Sequence, residues 1–257
     1  MRGRERGGGV RAAGFLAAPV GVLVALFVGP LAILLVMSFV RVTIAGVGGY
    51  TLGNYGAILE DPLYLRILGR TAAVATGSML AMLALSVPLA YLLAFRAGRL
   101  ELPLLLALVL ADELNPLIRI YAWRMLLGRE GLVNSALLAT GLVDRPVDAL
   151  LFSWVAVAIV LSASWLPYVT IPIYAAMKAI DPGVLDAARD LGAGFATVLR
   201  RILLPLAAPG IFVSLILVYI PLFAEFATPA LVGGTSGYLI GNVIQEQVLE
   251  LGDWGVG

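Results

Sequence analysis

Two adjacent carboxylates interrupt an apolar stretch of the sequence. Asp112 and Glu113 fall within the segment 102–123, whose other residues are mostly aliphatic or aromatic. Ionisable side chains within a membrane are costly, and they usually face a cavity or a charged partner. The pair therefore predicts an acidic lining that attracts a cationic solute. The sequence leaves open the alternative that the helix breaks early and the pair is solvated or salt-bridged to Arg119. Arg119 and Arg124 are interpreted as structural, because arginines do not normally line a path for cations.

Four more residues near apolar segments are candidates for contact with such a solute. Asn115 precedes a proline, which removes a backbone donor and can open the helix toward a path. Tyr121 and Trp123 could stack on cationic groups. Glu225 follows the apolar segment 206–223 and offers another carboxylate. Each has a plainer alternative. Asn115 and its proline could form a simple kink, Tyr121 and Trp123 could lie at the membrane interface, and Glu225 could be a charge at the rim.

The composition excludes several classes of function. Of 257 residues, 61% are hydrophobic and only 13% are charged, whereas soluble domains average about 25% charged residues. Lipid must therefore cover much of the protein. The chain has no cysteine and no histidine, which removes thiol chemistry, the usual zinc ligands and the common general base near neutral pH. A net charge of +1 argues against binding to nucleic acid.

Apolar segments of the length needed to cross a bilayer, about 20 residues, recur along the chain. They predict an all-α, polytopic transmembrane bundle. The five predicted spans are 15–39, 71–95, 102–123, 149–175 and 206–223.

The basic residues orient these spans. Short flanking segments that face the cytoplasm are enriched in Lys and Arg, and the residues before the first span include Arg2, Arg4, Arg6 and Arg11. The expected organisation is a cytoplasmic tail at 1–14 and a transmembrane domain at 15–257. That domain would contain a cytoplasmic loop at 176–205 and an external segment at 224–257. An odd number of spans leads us to expect a sixth span after Gly257.

The external segment is rich in glycine. Gly233, Gly234 and Gly237 permit a tight reversal of the chain. They lack the other elements of a phosphate-binding loop, so we expect no nucleotide site in this chain.

The predicted cytoplasmic loop contains a polar helix between two apolar spans. Asp181 and Pro182 supply a capping side chain and a proline at the first helical position. Apolar residues recur at helical spacing through 182–201, and Gly192 interrupts them. The pattern predicts two short helices hinged near Gly192, followed by Pro205 where the polar segment ends. An amphipathic loop lying on the membrane surface is the alternative.

The spacing within this loop resembles the coupling motif of ABC-importer permeases. That motif reads Glu-Ala-Ala, three residues, Gly, nine residues, then Ile-x-Leu-Pro. The matching positions are Asp186, Ala187, Ala188, Gly192, Ile202, Leu204 and Pro205. Asp186 replaces the glutamate and keeps its charge. The resemblance implies that the loop forms a coupling helix that docks on an ATP-hydrolysing subunit.

Three further blocks resemble the spermidine/putrescine-type permeases, and in particular the first permease of such systems. They are residues 118–134, residues 225–249 and the external segment 51–68. The resemblance implies a type I ABC-importer permease in the bacterial inner membrane, with its N-terminus in the cytoplasm and a path for polyamines. It further implies a heterodimer with a second permease, a pair of ATPases that bind ATP and Mg, and an external solute-binding protein. The chain itself would hold no cofactor or metal and would not be an enzyme.

The residues leave three alternatives open. The same kind of permease could carry another solute, such as an opine, an amino acid derivative, thiamine, ferric ion or an oxyanion. Carboxylates inside spans would also suit an ion-coupled secondary carrier, although no internal repeat supports that class. A membrane enzyme is a third alternative, which the lack of His and Cys weakens.

Overall fold

The computed structural model of the chain describes residues 6–43 and 46–257. They form α-helices joined by short connections, with one β-hairpin. The helices are α1 (Arg6–Ser38), α2 (Gly53–Glu60), α3 (Pro62–Phe95), α4 (Glu101–Leu110), α5 (Pro116–Leu127), α6 (Leu132–Ala139), α7 (Trp154–Lys178), α8 (Pro182–Asp190), α9 (Phe195–Val198), α10 (Leu204–Ser214), α11 (Ile220–Ala224) and α12 (Ile240–Gln245). Single 3₁₀ turns occupy Gly98–Leu100 and Asp148–Leu150, and π-helical turns occupy Leu199–Leu203, Leu215–Tyr219, Pro229–Gly233 and Glu246–Glu250.

The chain divides into two compact units. One comprises the residues up to Pro62 together with Ile244–Gly257, and the other comprises Leu63–Val243.

In the first unit, a polar contact holds the β-hairpin beside α2. The hairpin pairs β1 (Val40–Thr43) with β2 (Gly46–Tyr50) in antiparallel register. Asn54 of α2 is buried, and its amide donates to the carbonyl oxygens of Ser38 at 2.9 Å and Val40 at 3.0 Å. The first of these bonds satisfies a backbone acceptor that the end of α1 would otherwise leave unpaired, and the second joins α2 to β1.

The second unit is organised around α7. Its buried side chains include Val157, Val160 and Ile173, which belong to one apolar core with residues of α3, α5 and α10. The Ser86 hydroxyl of α3 lies 2.8 Å from the Thr170 hydroxyl in this core. Hydrogen bonds of this kind join helices inside a bilayer, where apolar burial alone gives little driving force between them.

Four helices are long and apolar enough to cross a membrane within the described part of the chain. They are Pro19–Ser38, Pro62–Phe95, Trp154–Lys178 and Phe195–Ala224. Each contains one of the predicted spans or overlaps most of it. The helix α7 starts at Trp154 rather than at residue 149, because the Ser153 side chain accepts from the Ala156 amide and caps the helix there.

The predicted third span is not a continuous helix, so the expectation of five regular spans is wrong at this position. Residues 102–123 are divided between α4 and α5 by a non-helical link, and Asp112 and Glu113 lie in that link. Pro116 lacks an amide donor, and the Asn115 side chain accepts from the Leu117 amide at 2.9 Å, which starts a new helix. The alternative of an early break is therefore the one the chain adopts.

The last candidate span accommodates its prolines beside π turns. Pro205 and Pro209 lie inside the helix Phe195–Ala224, although Pro205 marks the end of the polar segment in the sequence. The π turn Leu199–Leu203 ends two residues before Pro205. Such local widening accommodates a residue that cannot donate a helical hydrogen bond.

The predicted tight reversal at the glycines is confirmed. Gly234 has a φ of +56°, and a Cβ there would lie 2.8 Å from the carbonyl oxygen of Phe152. The amide of Gly237 donates to the carbonyl of Gly233 at 2.9 Å. Arg70 of α3 donates to the carbonyl of Ser236 at 2.9 Å and so fixes this loop against α3.

Candidate functional site

A cavity of about 270 Å³ opens beside the middle of α7. Its walls come from the α4–α5 link, the start of α5, the centre of α7 and the segment after α11. The lining residues are Asp112, Pro116, Arg119, Ile120, Ser164, Trp165, Tyr168, Glu225, Ala227 and Thr228. The cavity thus brings together two carboxylates that are far apart in sequence.

Asp112 forms an ion pair with Arg119 in this cavity. Nη1 of Arg119 lies 2.6 Å from Oδ1 of Asp112, and the two side chains are only 19% and 16% exposed. The same nitrogen donates to the backbone carbonyl of Asp112 at 3.3 Å. The salt bridge that the sequence left open as an alternative is therefore present.

Glu225 is held differently. It ends α11 with an extended backbone, and its Oε1 accepts from both the amide and the hydroxyl of Thr228 at 3.1 Å. Thr228 is buried, so the carboxylate is positioned from one side. No basic side chain pairs with Glu225 among the residues that the structure describes.

Two aromatic rings of α7 lie in contact at the cavity wall, with their planes tilted by 50°. The ring centroids of Trp165 and Tyr168 are 5.4 Å apart. Aromatic faces attract ammonium groups through the ring quadrupole, and they also accommodate methylene chains. Neither residue is among the candidates predicted from the sequence, and the same is true of Ser164 and Thr228. The available signal was a polar and aromatic face at spacing of i, i+1 and i+4 within an otherwise aliphatic helix.

The other predicted path residues do not line this cavity. Glu113, Asn115 and Tyr121 are exposed, and Tyr121 retains 51% of its surface. Trp123 instead lines a second cavity of about 480 Å³, whose walls are almost entirely apolar and include Trp154. The path assignment of these residues remains a prediction.

The predicted coupling segment folds as two short helices with a glycine between them, as its sequence pattern indicates. The Asp181 side chain accepts from the Gly183 amide at 2.9 Å and caps α8. Gly192 follows α8 with a φ of +79°, a conformation that residues with a Cβ rarely adopt, and α9 begins at Phe195.

A small apolar cluster supports these two helices. Its buried members are Ile180, Leu185, Ala188, Val198 and Leu203. The ring of Phe195 packs edge-on to Tyr91 of α3, with centroids 5.3 Å apart. The segment is thereby fixed to the cytoplasmic ends that the sequence predicts for the spans.

The opposite face of the segment is open. Leu191 is 89% exposed on this face. Of the motif positions, Asp186, Ala187, Gly192 and Pro205 are exposed, Ile202 and Leu204 are half-buried, and Ala188 is buried. Asp186 pairs with Arg189 at 3.0 Å on this face. An exposed face with apolar and charged residues suits contact with another protein.

A third polar cluster joins α4 to the end of α7. Glu101 accepts from the Tyr174 hydroxyl, and its Oε2 lies 2.7 Å from Nζ of Lys178. The hydrogen bonds from Lys178 and then Tyr174 hold the pKa of Glu101 below its ordinary value. This cluster connects α4 to the end of α7, which are distant in sequence. Its Lys178 lies three residues before Asp181, the cap of α8.

Long apolar helices around a charged cavity, with an exposed helical loop at one end, define a membrane transport component. A family model described as "Binding-protein-dependent transport system inner membrane component" matches residues 102–256. The chain belongs to this family, and it is a permease subunit that spans the inner membrane more than once.

Named relatives agree with this assignment. The chain is 38% identical over 208 residues to the spermidine/putrescine transport system permease protein PotB of Escherichia coli K12, covering 81% of this chain and 75% of the relative. It is 33% identical over 207 residues to PotB of Haemophilus influenzae, covering 80% of this chain and 72% of the relative.

A solved structure confirms the fold predicted from the sequence. The crystal structure of a bacterial alginate ABC transporter, in complex with an alginate pentasaccharide-bound periplasmic protein, contains a similar chain. The two superpose with a TM-score of 0.75 at 19% identity, over 96% of this chain and 87% of the other. At this identity the likeness concerns the fold alone.

Proposed function

We propose that this permease subunit forms part of the path for a polyamine or a similar small organic cation in an ATP-driven importer. The observation that carries the proposal is the cavity beside α7, where Asp112 and Glu225 meet the aromatic pair Trp165 and Tyr168. Carboxylates suit the ammonium groups of such a solute, and aromatic faces suit its methylene chain. The sequence identity between this chain and permeases that are named for spermidine and putrescine supports this cargo.

The cavity should hold its cargo weakly. An ammonium group about 4 Å from a carboxylate gains roughly 4 kcal/mol of gross Coulomb energy at an effective dielectric constant near 20. Desolvation of both groups offsets much of this gain. Weak binding suits a path because the solute must leave it, so an external binding protein would set most of the affinity of the system.

The chain would work through partners rather than through chemistry of its own. We propose a heterodimer with a second permease, served by a pair of ATPases that bind ATP and Mg and by an external solute-binding protein. The exposed face of residues 182–205 would dock on an ATPase. ATP binding and hydrolysis drive transport only if the solute interacts differently with the two states of the path.

The test is import into vesicles by the complete reconstituted system, with radiolabelled spermidine as the probe. We expect ATP-dependent uptake that falls by about ten- to a hundredfold in Glu225→Gln, because the substitution keeps size and hydrogen bonding but removes the charge. Glu130→Gln is the matched control, since Glu130 is an exposed carboxylate outside the cavity.

Two outcomes would contradict the proposal. Uptake that is limited to anions or neutral solutes would exclude a cationic cargo and leave the family assignment intact. Uptake at the unmodified rate in Glu225→Gln would remove this carboxylate from the path.

A further inference from the structure

We propose that Arg119 determines the charge of the path: its guanidinium neutralises Asp112, so that the cavity presents one uncompensated carboxylate, Glu225, to the cargo. This inference rests on the proposed cationic cargo. It assigns a role in specificity to a residue that the sequence analysis interpreted as structural.

The ionisable groups in the cavity wall support this charge count. Besides Tyr168, the lining includes two carboxylates and one guanidinium. Arg119 contacts Asp112 at 2.6 Å and forms no ion pair with Glu225. The acid–base pair is internally balanced, and Glu225 supplies the remaining negative charge.

The geometry of Arg119 does not suit a structural brace. Arg119 and Asp112 are seven residues apart, so their ion pair joins segments that the chain already connects. In contrast, Glu101 and Lys178 are 77 residues apart and tie α4 to α7. Furthermore, Nε of Arg119 is buried without a hydrogen-bond partner among the described residues. A buried unpaired donor lowers stability, so this arginine is poorly explained by folding alone.

The charge count has consequences for transport. With Arg119 in place, one ammonium group meets one uncompensated carboxylate and can leave again. Without Arg119, two carboxylates would face the cargo, which should bind more tightly and leave more slowly. Without the Asp112 charge, the guanidinium would cancel Glu225 and the cavity would no longer attract a cation.

Three variants separate these states. Arg119→Gln gives the cavity a net charge near −2, Asp112→Asn gives a net charge near zero, and the double variant returns it to −1. We expect Arg119→Gln to bind spermidine about tenfold more tightly and to import it about tenfold more slowly at saturating binding protein. Asp112→Asn should lose both binding and import, and the double variant should recover most of both.

The experiment measures two quantities on the complete complex. Equilibrium binding of radiolabelled spermidine is measured in nanodiscs without the solute-binding protein, and import is measured in vesicles with that protein at saturation. The matched controls are Arg129→Gln, Asp148→Asn and their double variant. This pair is 3.7 Å apart, its side chains are 73% and 78% exposed, and neither lines the cavity, so all three control variants should match the unmodified complex.

The outcomes distinguish this inference from the proposed function. An unmodified complex that imports no polyamine overturns the cargo and this inference together. If the unmodified complex imports spermidine but the double variant is no better than the worse single variant, Arg119 acts in structure and only this inference fails. Weaker binding of spermidine by the Arg119→Gln variant would likewise overturn this inference and leave the proposed cargo intact. Tighter binding with slower import, reversed in the double variant, supports the inference.

Discussion

The cavity beside α7 and the segment of residues 182–205 use charge in opposite ways. The cavity collects ionisable side chains from three distant parts of the sequence and encloses them. The segment is contiguous, rests on a small apolar cluster of its own and presents its polar residues outward. A site that handles a solute needs an enclosed, balanced charge, whereas a site that contacts another protein needs an exposed and well-shaped backbone.

The two regions also need glycine for different physical reasons. A Cβ at Gly192 would meet no neighbouring atom within 4 Å, but the residue has a φ of +79°, so its requirement is conformational. Gly210 of α10 has an ordinary helical backbone, but a Cβ there would collide with the carbonyl of Pro172 and lie 2.7 Å from Cβ of Ala176. Gly210 is therefore required by the packing of α10 on α7, the helix that carries part of the cavity.

Outside the ionisable residues of the cavity, the largest effect that we expect is from Gly192→Trp. The substitution strains the turn between α8 and α9 and adds a bulky ring to the proposed docking face, so import should fall by more than about tenfold while the protein stays in the membrane. ATP hydrolysis should become independent of import. The measurement is spermidine uptake and ATPase rate in the same vesicles.

Gly192→Asn is the matched control for this prediction. Asparagine adopts a positive φ more readily than other residues with a Cβ, and no neighbouring atom lies within 4 Å of a Cβ at this position. We therefore expect Asn to retain most of the import that Trp abolishes. Normal coupled import by Gly192→Trp would exclude this segment as the site of coupling.

A smaller effect is expected from Gly210→Ala. The added methyl group must push α10 away from α7, and overpacking of this kind costs about 1 to 3 kcal/mol. We expect a lower melting temperature of the purified complex and a partial loss of import. Gly69→Ala on α3 is the matched control, because no atom lies within 4 Å of a Cβ there. Equal stability of the two variants would mean that α7 and α10 can separate without cost.

The two regions also differ in how far the sequence predicts them. The segment was predicted almost completely, since its cap at Asp181, its hinge at Gly192 and its motif are local features. The cavity was predicted only in part. Asp112 and Glu225 were identified by their charge in apolar surroundings, but Trp165 and Tyr168 resemble ordinary residues of a span until the fold places them beside those carboxylates.

The continuity of the third predicted span was wrong for a related reason. Hydropathy measures whether residues 102–123 tolerate lipid, but it does not report hydrogen bonding. The break is caused by Pro116 and by the capping side chain of Asn115, which give α5 its own start. The sequence left open whether Asp112 is a free carboxylate or part of a salt bridge. The salt bridge forms because the side chain of Arg119 reaches back across that break.

The smallest effect is expected at Glu101, the link between α4 and the end of α7. Hydrogen bonds from Lys178 and Tyr174 lower the pKa of Glu101 below its ordinary value. A lowered pKa means that the folded state favours the ionised form, so the contribution to stability is present above the ordinary pKa of a glutamate. It is lost as the pH falls through the lowered pKa of the folded state.

Glu101→Gln should therefore lower the melting temperature only slightly at neutral pH, by about 1 to 3 °C, because Lys178 is 47% exposed and such pairs are screened by solvent. The difference from the unmodified protein should shrink as the pH is lowered toward about 3, where the carboxyl of an ordinary glutamate is protonated. Glu130→Gln should show no such dependence, since Glu130 is exposed and lies outside this cluster. A difference that stays constant between the two pH values would mean that the contact acts through packing or shape rather than through the charge of Glu101. In that case α4 and α7 would be joined by the same kind of close contact that joins α7 to α10.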